Sequence, residues 1–320
     1  MIPVIEVLLF ILGFALLVKG GDWLVDGASA LAHSYNVSDL VVGLTVVSFG
    51  TSAPELIVNL FASFSEAESI ALGNILGSNI ANVFLVLGVA ATFHPLSLQG
   101  RTVWKELPFA LILTIVLGIL CNDIFFANTP GNLLSNGDGL VLLIFFGLFI
   151  YYTYETGAEE QFVREAPRFN RGKAVLFVLL GSAALAGGGH LVVENAQNMA
   201  RDFGISEAFI GLTAVALGTS LPEVVTSLVA AFKSQSDIAV GNVVGSNIFN
   251  IALVLGISAS VRGIPYNISF NSDLLIALAA VVILFTFMFL GKRNSLGRAE
   301  GVLFFLIYTM YIALTYFTRI

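Results

Sequence analysis

The sequence predicts an all-α integral membrane protein of ten transmembrane helices, folded as two inverted five-helix repeats with broken helices at the centre. Three observations carry this. The 320 residues are 57% hydrophobic, only 11% charged, and have a mean hydropathy of +0.93; soluble domains carry about a quarter charged residues. Apolar runs of about 18 residues or more, long enough to cross a bilayer, recur from end to end. Finally, the second half overlays the first without a gap at an offset of 168 residues.

Taken in order, the apolar runs place helices over 2–19, 41–64, 69–93, 105–121 and 138–154, then over 173–191, 208–233, 238–261, 272–291 and 299–318. The first run, IPVIEVLLFILGFALLV, has no basic leading region and no small-residue cleavage site, so it reads as a crossing and not as a signal peptide. The most charged connection, YETGAEEQFVREAPRFNRGK from Tyr154 to Lys173, sits at the midpoint. Residues 1–160 and 161–320 are therefore the two repeats of a single unit.

The duplication is specific. GLTVVSFGTSAPE from Gly43 matches GLTAVALGTSLPE from Gly211, and IALGNILGSNIANVFLVLG from Ile70 matches IAVGNVVGSNIFNIALVLG from Ile238. Between Gly43 and Ala91, 26 of 49 positions are identical to their partners. Shared hydrophobicity would preserve Leu and Val; it would not preserve Gly, Asn, Ser, Pro and Glu in register. Five crossings per repeat return the chain to the membrane from the opposite side, so the halves are inverted. Loop charges agree. With both termini outside, 11 of the 14 basic residues lie inside, leaving only Arg201, Arg262 and Arg319 outside, as the positive-inside rule prefers. Inverted repeats are a common plan of secondary transporters, whose sites lie near mid-membrane where the repeats meet.

Several classes are set aside. The single cysteine, Cys121, excludes an internal disulfide and a Cys-rich metal centre. No basic run suggests nucleic acid. His33, His94 and His190 are scattered and read as interfacial residues at helix ends. No nucleophile–base pair or metalloprotease motif points to an enzyme. No cofactor and no protein partner is called for; the partners are inorganic cations and the lipid bilayer of the cell membrane.

The chemistry lies in GTSAPE (Gly50–Glu55) and GTSLPE (Gly218–Glu223). Proline has no N–H and crowds the carbonyl four residues back. Pro54 therefore frees the Gly50 carbonyl and disturbs that of Thr51, and Pro222 does the same at Gly218 and Thr219. Ser48 and Ser52 share a helix face, as do Thr51 and Glu55; Thr219, Ser220 and Glu223 repeat the pattern, with Ala216 in place of Ser48. On the next helix of each half, Asn74, Ser78 and Asn82 recur every four residues, as do Asn242, Ser246 and Asn250. Small residues at Gly73/Gly77 and Gly241/Gly245 let these helices approach their broken neighbours closely. The result is an oxygen cluster with two carboxylates and no Cys or His, which suits hard cations such as Na⁺ and Ca²⁺. An intramembrane carboxylate is costly and marks function.

At these residues the chain resembles the calcium/cation antiporter superfamily, on its sodium/calcium exchanger branch. The two motif pairs, GTSAPE with GNILGSNIAN and GTSLPE with GNVVGSNIFN, carry the resemblance, which covers nearly all of the ten-helix core. It implies Ca²⁺ movement driven by a Na⁺ gradient, by alternating access, through cation sites between the second, third, seventh and eighth helices. It further implies that Glu55 and Glu223 are carboxylates shared by the calcium and sodium sites, and that Thr51 and Thr219 donate carbonyl oxygens. Ser48 and Ala216 match backbone-oxygen positions. Ser52, Ser220, Ser78 and Ser246 match sodium ligands, and Asn82 and Asn250 the central polar pair. Some relatives, including potassium-dependent exchangers, carry Asp at the position of Asn250, so the resemblance does not extend to a K⁺ requirement. The central loop is too short for the large calcium-sensing domains of animal exchangers. A proton- or potassium-coupled cation exchanger and a cation channel are the competing readings.

Overall fold

The computed structural model describes residues 4–64, 68–97, 102–126, 131–157, 169–202, 218–290 and 294–319. Two helices of 32 residues, α1 (Val4–Tyr35) and α6 (Arg171–Asp202), are the longest. At 1.5 Å per residue each measures about 48 Å, well beyond a hydrocarbon core of about 30 Å. They pack antiparallel along glycines spaced by seven. A Cβ at Gly13 would lie 2.9 Å from the Gly188 carbonyl, one at Gly20 2.9 Å from that of Gly181, and one at Gly27 2.8 Å from that of Ala174. Only the absence of side chains lets these backbones meet.

The first helix runs past the expected end at residue 19. Lys19, Asp22 and Asp26 interrupt the apolar run, yet they do not end the helix because their charges are paired. Lys19 Nζ lies 2.8 Å from Asp22, and Lys233 bridges both Asp22 and Asp26, the latter at 2.8 Å. Beyond them Ala28, Ala30 and Leu31 are buried. His190 is likewise mid-helix in α6 and not at a helix end, exposed beside Glu194 at 3.3 Å.

Next comes α2 (39–64), whose start is capped by the Ser38 hydroxyl accepting from the Val41 N–H. It contains a widened, π-type turn over Gly43–Val47, then a regular helix over Ser48–Phe64 that passes through Pro54. The expected break at Pro54 is thus not present. One missing N–H removes one bond of the ladder, and the remaining bonds and flanking burial hold a 17-residue helix together. The second half differs. The chain turns at Thr219 and Ser220, and α7 (Leu221–Phe232) starts afresh with Pro222 in its first turn, where a missing N–H costs nothing. The expected span 208–233 lies outside the described residues before Gly218.

The innermost helices are α3 (68–93) and α8 (236–261), nearly all of whose length from Ile238 to Ala259 in α8 is buried. Each carries a widened turn, over Asn82–Leu87 and Phe249–Leu255. Such turns mark functional positions in helices. Around them stand α4 (102–120), α5 (Asn136–Gly157), α9 (Asn271–Phe287) and α10 (Arg298–Arg319). Their outer faces are apolar: Leu140, Ile144 and Leu148 are each more than half exposed, at helical spacing. Among the described residues, eight helices are long and apolar enough to cross a membrane.

Two-residue strands clip the halves together. β1 (Leu96–Ser97) pairs antiparallel with β4 (Ser295–Leu296), and β2 (Leu133–Leu134) with β3 (Ile264–Pro265). β1 and β3 stand at the same repeat position, and each binds a loop of the other half.

Candidate functional site

Four elements converge at the centre. α2 crosses α8 closely, α7 packs on α3, and α3 and α8 touch each other. The α2–α8 crossing depends on small residues: a Cβ at Gly241 would lie 3.0 Å from the Leu40 carbonyl, and one at Gly245 would overlap Ser48 Oγ. Gly241 and Gly245 therefore have the role that their spacing suggests.

The crossing buries the polar stripe. Ser48, Thr51, Ser52, Glu55, Ser78, Asn82, Ser220, Glu223, Ser246 and Asn250 are each 3% exposed or less. Thr219 is half-buried, and Ala216 lies outside the described residues. The ten buried residues and Thr219 come from all four elements and from the turn that leads into α7.

Hydrogen bonds assign the side chains to two groups. The first group ties the halves. Thr51 Oγ1 donates to Asn242 Oδ1 at 2.9 Å and lies 3.3 Å from Ser246 Oγ. Thr219 Oγ1, its repeat partner, donates to Asn74 Oδ1 at 3.2 Å and lies 3.3 Å from Ser78 Oγ. Asn242 in turn donates to Ser227 Oγ at 3.0 Å. Ser48 Oγ sits 2.8 Å from the carbonyl of Gly43 and 3.0 Å from that of Asn242. Thr51 Oγ1 also lies 3.3 Å from the Ser48 carbonyl, and a hydroxyl that donates its proton keeps oxygen lone pairs for a further donor or a cation.

The second group differs. Among the described residues, both carboxylate oxygens of Glu55, both of Glu223, the hydroxyls of Ser52 and Ser220, and Oδ1 of Asn82 and of Asn250 are buried without a hydrogen-bond partner that meets bonding geometry. Glu223 stands beside the hydroxyls of Thr51, Ser52 and Ser246. Glu55 and Glu223 are close enough to repel each other. No ion pair reaches either one among the described residues. Taking one carboxylate-sized charge into a low-dielectric interior costs of order 20 kcal/mol in the idealised limit and several in practice. The two carboxylates, with the four further oxygens of Ser52, Ser220, Asn82 and Asn250, can be balanced by one divalent or several monovalent cations. Hydroxyl, amide and carboxylate oxygens are the donors that hard cations take.

Asn79 and Asn247 escaped the sequence reading. Asn79 Nδ2 donates to the Asn247 carbonyl and Asn247 Nδ2 to the Asn79 carbonyl, both at 3.3 Å. Asn82 Nδ2 donates to Asn247 Oδ1, and Asn250 Nδ2 to Asn79 Oδ1, both at 3.0 Å. The signal was available in GSN, identical in both halves, but its Asn falls off the four-residue stripe.

Comparison with known proteins follows the same centre. A family described as "sodium/calcium exchanger protein" matches residues 5–155 and again 173–317. "Inner membrane protein YrbG" of Escherichia coli (strain K12) is 37% identical over 96% of each chain. "Sodium/calcium exchanger MaX1" of Methanosarcina acetivorans is 30% identical over 98% of this chain and 99% of its own. Among solved structures, the sodium-calcium exchanger NCX_Mj superposes with a TM-score of 0.81 at 33% identity, covering 98% of this chain and 99% of that one.

Proposed function

The chain belongs to the sodium/calcium exchanger family, and from that premise we propose that Glu55 and Glu223 are the shared ion carboxylates of a Na⁺/Ca²⁺ antiporter working by alternating access. The observation that carries this is the set of eight buried site oxygens without partners among the described residues, four of them carboxylate oxygens. One Ca²⁺ neutralises both carboxylates; Na⁺ ions can do the same only by occupying the same place. Occupancy is then mutually exclusive, which is what exchange requires. When the site is empty, two bare carboxylates face a low-dielectric path, so the unloaded protein resists changing sides.

The remaining donors divide as the family resemblance implies. Ser52, Ser220, Ser78 and Ser246 supply hydroxyl oxygens. Thr51, Thr219, Ser48 and Ala216 supply backbone carbonyls, and Asn82 and Asn250 supply amide oxygens. Because both central positions are neutral, two charges are the full complement and K⁺ is not required. The architecture that fits this is ten crossings in two inverted repeats, 1–160 and 161–320, in the cell membrane with both termini outside. The reciprocal Thr51–Asn242 and Thr219–Asn74 bonds support that symmetry, and the distribution of basic residues supports the orientation.

Ca²⁺ uptake by purified protein in liposomes, with Na⁺, K⁺ or H⁺ gradients imposed separately, tests the reading. Uptake should follow the Na⁺ gradient alone. Uptake driven by H⁺, or needing K⁺, would assign the chain a different coupling ion; a steady Ca²⁺ current with no counter-ion would make it a channel.

A further inference from the structure

We infer that Asn79 and Asn247 are positioning residues that aim the amide oxygens of Asn250 and Asn82 at the ions, each doing so for the opposite half of the chain. This rests on the reading above that Asn82 and Asn250 face the transported cation.

A side-chain amide can present either its oxygen or its NH₂ group, since a half-turn exchanges them at little cost in shape. Only the oxygen attracts a cation; an inward NH₂ would repel it. Asn250 therefore needs something that fixes its rotation. Its Nδ2 donates to Asn79 Oδ1 at 3.0 Å. Were Asn250 to turn over, its oxygen would oppose the Asn79 oxygen, acceptor against acceptor, at a buried junction. Asn79 is fixed in its turn, because its Nδ2 donates to the backbone carbonyl of Asn247 at 3.3 Å, and a backbone carbonyl has no NH₂ to exchange with. The orientation thus starts at a main-chain oxygen, passes through Asn79, and reaches Asn250. The mirror path runs from the Asn79 carbonyl through Asn247 to Asn82, at 3.3 and 3.0 Å. Asn79 and Asn247 are 4% and 5% exposed, so no solvent competes for these bonds. At the end of both paths stands a buried Oδ1 with no partner of its own. The quartet also selects chemistry: a carboxylate at 82 or 250 would place oxygen against oxygen at the junction, so the arrangement holds the centre neutral.

A double-mutant cycle separates positioning from packing. Ca²⁺ KM and kcat would be measured in liposomes for Asn79→Leu, Asn250→Ala and the double variant, with thermal melting in ion-free buffer alongside. Asn250→Ala should raise Ca²⁺ KM. Asn79→Leu should raise it about 10-fold with a smaller change in kcat, in line with the cost of losing a residue that orients a metal ligand. In the double variant, Asn79→Leu should add nothing. Additive effects, or a normal KM in Asn79→Leu, overturn the inference; a normal KM in Asn250→Ala overturns instead the placement of Asn250 at the ions. If Asn79→Leu does not insert, Asn247→Leu with Asn82→Ala gives the same cycle from the other half.

Discussion

The hydroxyl of Thr51 lies 2.9 Å from Oδ1 of Asn242, joining the helix that carries one central carboxylate to the helix of the other repeat. Thr51→Val keeps the shape and the backbone carbonyl but leaves that buried Oδ1 without its donor. The cost of such an orphaned acceptor is about 1–3 kcal/mol. The variant should melt at a lower temperature yet still exchange Ca²⁺ for Na⁺. A variant that melts normally but has lost exchange would show instead that the hydroxyl itself binds an ion.

Glu55→Gln and Glu223→Gln should each abolish Na⁺-driven Ca²⁺ flux while the protein still folds. Each removes one of the two charges that balance Ca²⁺ and changes little else. Because the native carboxylates are buried without partners, either amide should match or exceed wild-type thermal stability in ion-free buffer, since a buried unpaired charge is costly. Near-normal flux in a correctly inserted variant would remove that glutamate from the site.

Lys233 bridges Asp22 and Asp26 from the end of α7 to the middle of α1. Lys233→Met should destabilise the protein by about 1 kcal/mol, the upper end for partly exposed ion pairs. Wild-type stability should also fall with choline chloride concentration more steeply than that of the variant, because salt screens the pair. Parallel salt profiles would mean that the pair contributes nothing.

Topology can be read by labelling. Asn36 and Gly204 are repeat partners, 168 residues apart. Cysteines placed there singly, in a Cys121→Ser background, should react with an impermeant reagent from opposite sides of the membrane. Cys121 is buried, so its removal leaves the surface unchanged. Reaction from the same side would rule out inversion.

The features that reached the sequence surface were those tied to a residue type with one physical use. Glycine at 241 and 245 meant a close helix crossing, and the helices do cross there. Glutamate in an apolar run meant a buried carboxylate, and Glu55 and Glu223 are buried. What stayed hidden depended on partners far along the chain. The extension of α1 to Tyr35 needs the charges at 22 and 26 to be met by Lys233, more than 200 residues away. Pro54 alone could not say whether its helix stops or continues, since the same proline is interior in α2 and opens α7 in the second half. Asn79 is in sequence only one more polar residue shared by the two repeats, because which way an amide points is decided by the neighbour and not by the residue.

The contacts between Asn79 and Asn247 have a further meaning. Each bonds to the carbonyl of the other, so that residue i meets j as j meets i, the mark of an isologous dimer interface. The heart of this single chain is in that sense a dimer contact whose subunits have been fused. Fusion permits what identical subunits cannot have, namely divergence between the two ends of the axis. Ser48 faces its helix crossing where the second half has Ala216, and Lys233 clasps α1 where the first half has Ser65. On the proposed inverted arrangement, identical halves would bind the two membrane faces to equal terms, and these differences free the chain to make opening toward one side cost more than opening toward the other.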